Sequence, residues 1–522
     1  MTAQKLKQAD SFTRNNNPVL WLGMKHHRTH EGKMLNFRDN PFLYGIYADK
    51  NPYLVIMKST QNGITEYLIV REFDESGREG RSVFHVLPTI DLIGRFVKNR
   101  ANRSIGFSEY YKTMVKPTQK SSDAMSLKHF GKGTIAYVGS NSGSAFTEFP
   151  AQTVIVDELD MCDQQRLVMA WERLSFAEDK RQGKIGNPTI EDFGIHGEFL
   201  ATDQKYWYIK CECGHWISPD FFLHVVRHIQ DNDYVIRDPD WEPHTGRDIR
   251  LVCDKCGRFV DRRGKGLWVA KYPDREKSGF QLGKLFTSRV TVEEVVERFE
   301  KGLYNDWDMQ RFYNADCGLP FTAPGSSLAR TDLDACKGDD MMPYEAAEGT
   351  ACIAGADVGT KIHIRISQIL PDGRLRAMYI GSVDEIQDVL ELSRRYNVVC
   401  GVIDAMPETR KSKELVASHP GWFMCYFNEV KRDIIDPLNR ILTVLKTPAM
   451  DAVKEAYLSR KIVLPPNADK IPEFYDHMTV PVRTYDEQRQ AYVWQRGNKD
   501  DHLYLAEAYQ LLAHKFIAAI TR

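Results

Sequence analysis

One short stretch constrains this chain more than any other. An apolar run, "YLVIM" from Tyr53, breaks at "KSTQNG" and resumes in the helical pattern "ITEYLIVREF". Strand, glycine-bearing loop and helix in that order form the unit in which backbone N–H groups and a helix N-terminus converge on phosphate. Such a strand is buried on both faces in a mostly parallel sheet, so this half of the chain is committed to an α/β fold. Gly63 permits the tight backbone, and Thr65 stands where a hydroxyl coordinates Mg2+. Ile64 occupies the place of the loop's usual lysine. Lys58 at the head of the loop, with Ser59 beside it, supplies the nearest cation; on spelling alone an ordinary strand-turn-helix is an equal reading.

The companion signal is "TVIVDELD". Asp157 ends a β-branched strand where a carboxylate holds Mg2+ through water, and Glu158 is placed to orient and deprotonate an attacking water. Alone, the pair also reads as a strand end followed by an acidic helix start. In tandem with Lys58 to Thr65 it argues for nucleotide hydrolysis. Asn187, Pro188 and Thr189 follow another short apolar segment, where ATP-driven motors often sense the γ-phosphate; in isolation they are a turn.

At 522 residues the chain is too long for one core. The pattern divides it into a polar, basic arm at 1–40, an α/β core at 41–204, a cysteine-bearing insertion at 205–270, helices and a linker at 271–349, and a second α/β pattern at 350–522. The arm carries no sustained period and is assigned no chemistry. No apolar run reaches membrane-spanning length, and neither a membrane span nor a secretory signal is expected. With a net charge of -1, any contact with nucleic acid requires basic residues gathered on one surface. Of ten cysteines, four fall in two close pairs, Cys211/Cys213 and Cys253/Cys256, which suits a reducing compartment and one structural zinc site. Because Cys211-x-Cys213 is one residue short of the usual spacing, His215 is an alternative ligand.

In the second α/β pattern, Asp357 ends "CIAGAD", Asp404 ends "VVCGVID" and Asp501 precedes "HLYLAEAYQLLAHKF". Two adjacent strand ends and a helix start can bring the three carboxylates together around divalent cations, which is the chemistry of ribonuclease-H-like nucleases. Asp501 is equally an ordinary helix N-cap. The hairpin-like segment before it carries Arg483, Arg489, Arg496 and Lys499, suited to DNA phosphates or to a solvated hairpin. Arg95, Arg100 and Arg103 present the same choice between a helix face and a charge donated to a neighbouring subunit's ATP.

Taken in order, "KSTQNGITE", "VIVDELD", "GNPTIEDFGI", "YIKCECG", "CDKCG", "RFYNADCGLPF", "GADVG", "GVIDA" and "DDH" resemble the large subunit of phage terminase in its GpA-like branch. The resemblance runs from about residue 40 onward. It implies an α/β multidomain chain: an ASCE-like P-loop ATPase with a zinc-ribbon insertion, then an RNase H-like nuclease. It makes Lys58 the displaced lysine, Asp157 the Mg2+ carboxylate, Glu158 the base and Asn187 with Thr189 the coupling motif. Asp357, Asp404 and Asp501 become the DNA-cutting site with Mg2+ or Mn2+. The partners so implied are double-stranded DNA, a small terminase subunit, the portal of the procapsid and further copies of the chain, all in the host cytoplasm. A helicase or repair translocase with a nuclease domain, and a decayed non-catalytic DNA-binding scaffold, are the competing readings.

Overall fold

The computed structural model describes residues 3–115, 126–142, 146, 149–230, 233–237, 249–428, 432–486, 491–497 and 499–520. They form two compact units, Met1–Phe321 and Thr322–Arg522.

The first unit is built on β1 (Tyr53–Lys58), β2 (Ser82–Leu87), β3 (Leu127–Phe130), β4 (Gly133–Gly139), β5 (Thr153–Val156), β6 (Arg181–Gly186), β7 (Lys205–Lys210), β8 (Trp216–Ile217), β9 (Val226–Gln230), β10 (Asp233–Ile236), β11 (Gly266–Ala270) and β12 (Ser278–Leu282). Apart from the β9–β10 ribbon they share one sheet, in the order β11-β7-β12-β1-β6-β5-β2-β4-β3, with β8 paired antiparallel to β7 off this path. From β12 to β4 every neighbour runs parallel. Alternate residues of β1 serve two cores. Leu54 and Ile56 pack with Ile64, Tyr67 and Leu68 of the helix Ile64–Gly77, whereas Val55 and Met57 join Phe84, Val156 and Phe199 on the opposite face. Burial on both faces explains the unbroken apolar strands, and it brings β1, β6 and β5 to the same edge with β6 between the loop strand and the acid strand.

Three of the stretches divided in the sequence gain detail from the structure. The arm at 1–40 contains the helices Ala3–Asn16 and Pro18–Lys25, and Trp21, Leu22 and His27 are buried in the first unit. The apolar run "VLWLGM" is too short for a period to show, yet long enough to dock. The insertion at 205–270 contributes β7, β8 and β11 to the main sheet. Finally, 271–349 is not a helical unit with a linker: β12 completes the sheet beside β1, and Leu328, Leu333 and Cys336 lie in the core of the second unit. The expected helix pair is present as Val292–Gly302 and Asp306–Arg311.

The second unit contains β13 (Cys352–Val358), β14 (Ile362–Ile369), β15 (Leu375–Val383), β16 (Val398–Asp404), β17 (Trp422–Phe427), β18 (Ile434–Asp436), β19 (Ile441–Val444) and β20 (Ile462–Val463), in the sheet order β18-β19-β17-β16-β13-β14-β15-β20. A separate hairpin pairs β21 (Val482–Asp486) with β22 (Ala491–Gln495). β13, β14 and β15 alternate in direction, while β16 and β17 run parallel to β13. The C-terminal helix His502–Ile520 crosses β13 at Gly355. A Cβ there would stand 2.1 Å from both Ala506 O and Gln510 N, so only glycine lets the helix lie this close and bring its first turn to the end of β13.

Candidate functional site

In the first unit the sheet edge assembles the nucleotide-type site. Gly63, at φ 80, turns the loop into the helix Ile64–Gly77. Ile64, at the position of the usual loop lysine, is buried in the core. From the end of β1, Lys58 Nζ donates to Glu158 Oε1 and to Asn187 Oδ1, both at 2.9 Å. Burial works against this ammonium, but Glu158 and Asp157 outweigh it and hold the pKa above the ordinary lysine value. Asp157 is pushed up to about 6 by burial and by the charge of Glu158, with Lys58 opposing. Glu158 follows β5 in the left-handed region at φ 52, an uncommon conformation for a non-glycine residue that recurs where side chains are aimed for function. Lys58, Asp157, Glu158 and Asn187 therefore form one cluster beside the loop that carries Ser59, Gly63 and Thr65.

Thr189 lies elsewhere. Its amide and hydroxyl donate to Asp160 Oδ2 at 2.9 and 2.8 Å, and the Ile195 amide donates to Oδ1 of the same carboxylate at 2.6 Å. Asn314 closes the back of the cluster by donating to the carbonyls of Thr189 and Leu319. Gly318, at φ 65, fits against Leu282 O and Ser59 N, where a Cβ would stand 2.2 and 2.7 Å away; this is why "NADCGLP" ends as it does. Of the three arginines in 95–103, Arg100 reaches the loop helix, 3.5 Å from Glu66, and Arg103 lies over the Phe107 ring.

The four paired cysteines converge, each offering a sulfur within 4.8 Å of the others. Cys211 Sγ and Cys256 Sγ are 3.7 Å apart, and Cys213 Sγ and Cys253 Sγ 3.9 Å. Left-handed Gly214 and Gly257 close the two knuckles, so the shorter Cys211-x-Cys213 pair still reaches the cluster. His215 stands outside it, paired with Asp254 at 3.3 Å.

In the second unit, Asp357 and Asp404 stand at the ends of adjacent parallel strands, one step beyond the Ala356–Ile403 pairing. Burial lifts the Asp357 carboxyl above its ordinary value, against the pull of His502, whose Nδ1 lies 2.7 Å from Asp357 Oδ2. Burial also lifts Asp404, to about 6, with the charge of Asp357 adding to it. Asp501 is buried at the start of the C-terminal helix and accepts from Arg496 at 3.0 Å. Its carbonyl accepts the amides of Tyr504 and Leu505, so the helix starts from this residue. The three carboxylates share one sheet edge without the mutual 4.8 Å spacing of the cysteines. Of the hairpin cations, Arg483 is bonded to Asp451 and stacked on Tyr492, Arg496 faces Asp501, and Arg489 lies outside the described residues.

Residues 40–271 match the family model described as phage terminase large subunit gpA, ATPase domain. That region is similar to the gpA terminase ATPase domain. Over the whole length, the chain is similar in fold to the large terminase of bacteriophage HK97, with 12% identity, 94% of this chain and 98% of that chain covered, and a TM-score of 0.52. A looser match is the large terminase of a thermophilic bacteriophage, with 12% identity, 90% of this chain and 94% of that chain covered, and a TM-score of 0.31. No curated protein matches. No described helix is long and apolar enough to cross a membrane.

Within the first unit, Asp160 is the residue that sequence reasoning missed. The third acid of "VIVDELD" spells no motif of its own, but it ties the loop after β5 to the segment after β6. Burial raises its carboxyl from 3.8 to about 7, against the three hydrogen bonds it accepts. The folded chain thus holds this proton more tightly than the unfolded one. The stability it confers is complete below the unfolded carboxyl range and is lost as pH rises through about 7. Asp160→Ala leaves the Thr189 and Ile195 amides unmet and is expected to destabilise the first unit by about 2–4 kcal/mol. Urea unfolding at pH 5 and pH 8 checks this; the deficit relative to wild type should be larger at pH 5, and equal deficits would remove Asp160 from the account.

Proposed function

We propose that the chain is the large subunit of a viral DNA-packaging terminase, an ATP-driven translocase of double-stranded DNA whose second unit cuts DNA with divalent metal. The observation that carries the reading is the Lys58–Glu158–Asn187 cluster, in a region similar to the gpA terminase ATPase domain. ATP seats its phosphates at the amides of the loop that ends at Gly63 and at the ammonium of Lys58. Thr65 and Asp157 are the residues that would hold Mg2+, which would neutralise phosphate charge. Glu158 orients the attacking water and accepts its proton, and Asn187, bonded to the same lysine, registers whether the γ-phosphate is present. The Asp160–Thr189 link joins that event to the segment after β6.

In the second unit, the sheet order β17-β16-β13-β14-β15, with three antiparallel strands followed by two parallel ones, favours an RNase H-like nuclease. Asp357, Asp404 and Asp501 fit Mg2+ or Mn2+ by donor type: all are oxygen ligands, and burial and mutual repulsion leave a demand for positive charge. When bound, such ions activate water and stabilise the leaving oxygen of a phosphodiester. His502 holds Asp357 in place, and Arg496 does the same for Asp501. Double-stranded DNA, a small terminase subunit, the procapsid portal and further copies of the chain are the partners of this reading, with the host cytoplasm as its setting.

The cysteine cluster fits structural Zn2+. Thiolates about 2.3 Å from a tetrahedral ion lie about 3.8 Å apart, close to the spacings of the two pairs. Stripping zinc with a strong chelator, or replacing Cys256 by serine, is expected to lower the melting temperature of the first unit by about 5 °C or more. An unchanged melting curve would leave the ribbon without its metal.

The function is tested by two assays on one preparation: phosphate release from ATP with and without linear double-stranded DNA, and nicking of a plasmid in Mg2+ or Mn2+. DNA-stimulated turnover together with cutting is the expected result. Absence of both, with the partner subunits added, would favour a scaffold.

A further inference from the structure

Next to Asp357, the second unit carries a group of side chains that neither the cutting chemistry nor the zinc cluster uses. His363 on β14 sits directly across the ladder from Asp357. Its ring stacks on His502, with centroids 4.6 Å apart and planes 13° apart, and meets His477 edge-on at 5.4 Å. Glu473 precedes the short helix Phe474–Thr479 that carries His477, and its Oε2 is 3.7 Å from His363 Nε2. One ligand atom from each of His363, Glu473 and His477 lies within 4.8 Å of the other two.

Two features show that the fold itself does not account for these rings. His363 is 6% exposed, yet its Nδ1 has no hydrogen-bond partner among the described residues and its Nε2, the atom turned to Glu473, meets that carboxylate at 3.7 Å, beyond hydrogen-bond distance, whereas buried polar groups are nearly always paired. His477, also 6% exposed, receives at Nδ1 only a long contact of 3.5 Å from the Leu503 amide. Glu473, exposed and at φ 61, turns its carboxylate toward the two imidazoles from a backbone conformation uncommon for glutamate.

We propose that His363, Glu473 and His477 bind one divalent transition-metal ion at a site separate from the aspartates. The donor set decides the class. Two imidazoles and one carboxylate suit Zn2+, Co2+ or Fe2+, whereas the all-oxygen set of Asp357, Asp404 and Asp501 suits Mg2+ or Mn2+. Ligands about 2.1 Å from a tetrahedral ion stand about 3.4 Å apart, so the His363–Glu473 pair is already near its bound spacing. The ion fastens the helix Phe474–Thr479 to β14. Because His502 stacks on His363, it also fixes the imidazole that holds Asp357, which makes the site a positioning device whether or not the unit cuts DNA.

The test uses the full-length protein, stripped by chelator and titrated with Co2+ alone, with bound cobalt counted by elemental analysis and its ligands read from the absorption spectrum. The double variant His363→Gln/His477→Gln is expected to bind one ion fewer per chain, while the thiolate-to-cobalt charge-transfer band of the cysteine cluster stays unchanged. Asp404→Asn should retain that ion. Equal stoichiometry in wild type and double variant overturns the proposal, as does loss of the ion in Asp404→Asn, which would assign it to the aspartates. Should the double variant fail to fold, Glu473→Gln at the exposed ligand is expected to weaken that cobalt ion about tenfold or more, and unchanged affinity would be equally fatal.

Discussion

Lys58→Ala is expected to cut ATP turnover by about 10²–10³-fold, and Glu158→Gln by a similar factor, for different reasons. In the proposed reading Lys58 is the cation of the loop, since Ile64 is buried at the position of the usual lysine. Removing it takes away the charge that stabilises the transferring phosphoryl group and leaves Asp157 and Glu158 to repel each other, so nucleotide affinity should fall as well. Glu158→Gln keeps the shape and the hydrogen bond to Lys58 but cannot accept a proton, so ATP should still bind while hydrolysis stops. Steady-state phosphate release, paired with binding of a fluorescent ATP analogue, separates the two. Wild-type turnover in Lys58→Ala would mean that the Lys58–Glu158 contact is only a buried ion pair and that the cation comes from elsewhere, with Arg100 the nearest candidate.

How much of this was legible in the sequence depends on which interactions are local. Strand ends are local: β1 and β5 are continuous apolar runs, and Lys58 and Asp157 fall where those runs stop. The same holds for Asp357 and Asp404. Sheet neighbours are not local, so nothing in "SGFQL" announces that β12 lies beside β1, and its assignment to a helical region followed from the helices after it. Thr189 shows a second limit. The position of "NPT" was plain, but only the fold reveals that Asn187 turns to Lys58 while Thr189 turns to Asp160. The short cysteine pair shows a third, because closure depends on left-handed Gly214 rather than on spacing alone. His363, Glu473 and His477 come from a strand and a helix far apart in sequence, and no periodicity joins them.

Asp404→Asn is expected to abolish plasmid cutting and, in the same molecule, to stabilise the second unit. Burial and the charge of Asp357 lift this carboxyl from 3.8 to about 6, so its ionised form is held at neutral pH against the preference of the fold. A shift of that size corresponds to a penalty of about 3 kcal/mol at neutral pH, which the neutral amide relieves. The amide is also a poor ligand for a divalent ion, so loss of cutting by about 10³-fold or more should accompany the gain. Asp357→Asn should lose cutting as fully, with less gain in stability because it also weakens the bond to His502. Opposite movement of activity and stability is the signature of a carboxylate kept ionised for function, since a merely structural aspartate would lose stability when neutralised. Thermal unfolding of the second unit and plasmid nicking, measured on the same preparations, decide between them. An Asp404→Asn protein that melts lower and still cuts would remove Asp404 from the site and leave the sheet edge without its central carboxylate.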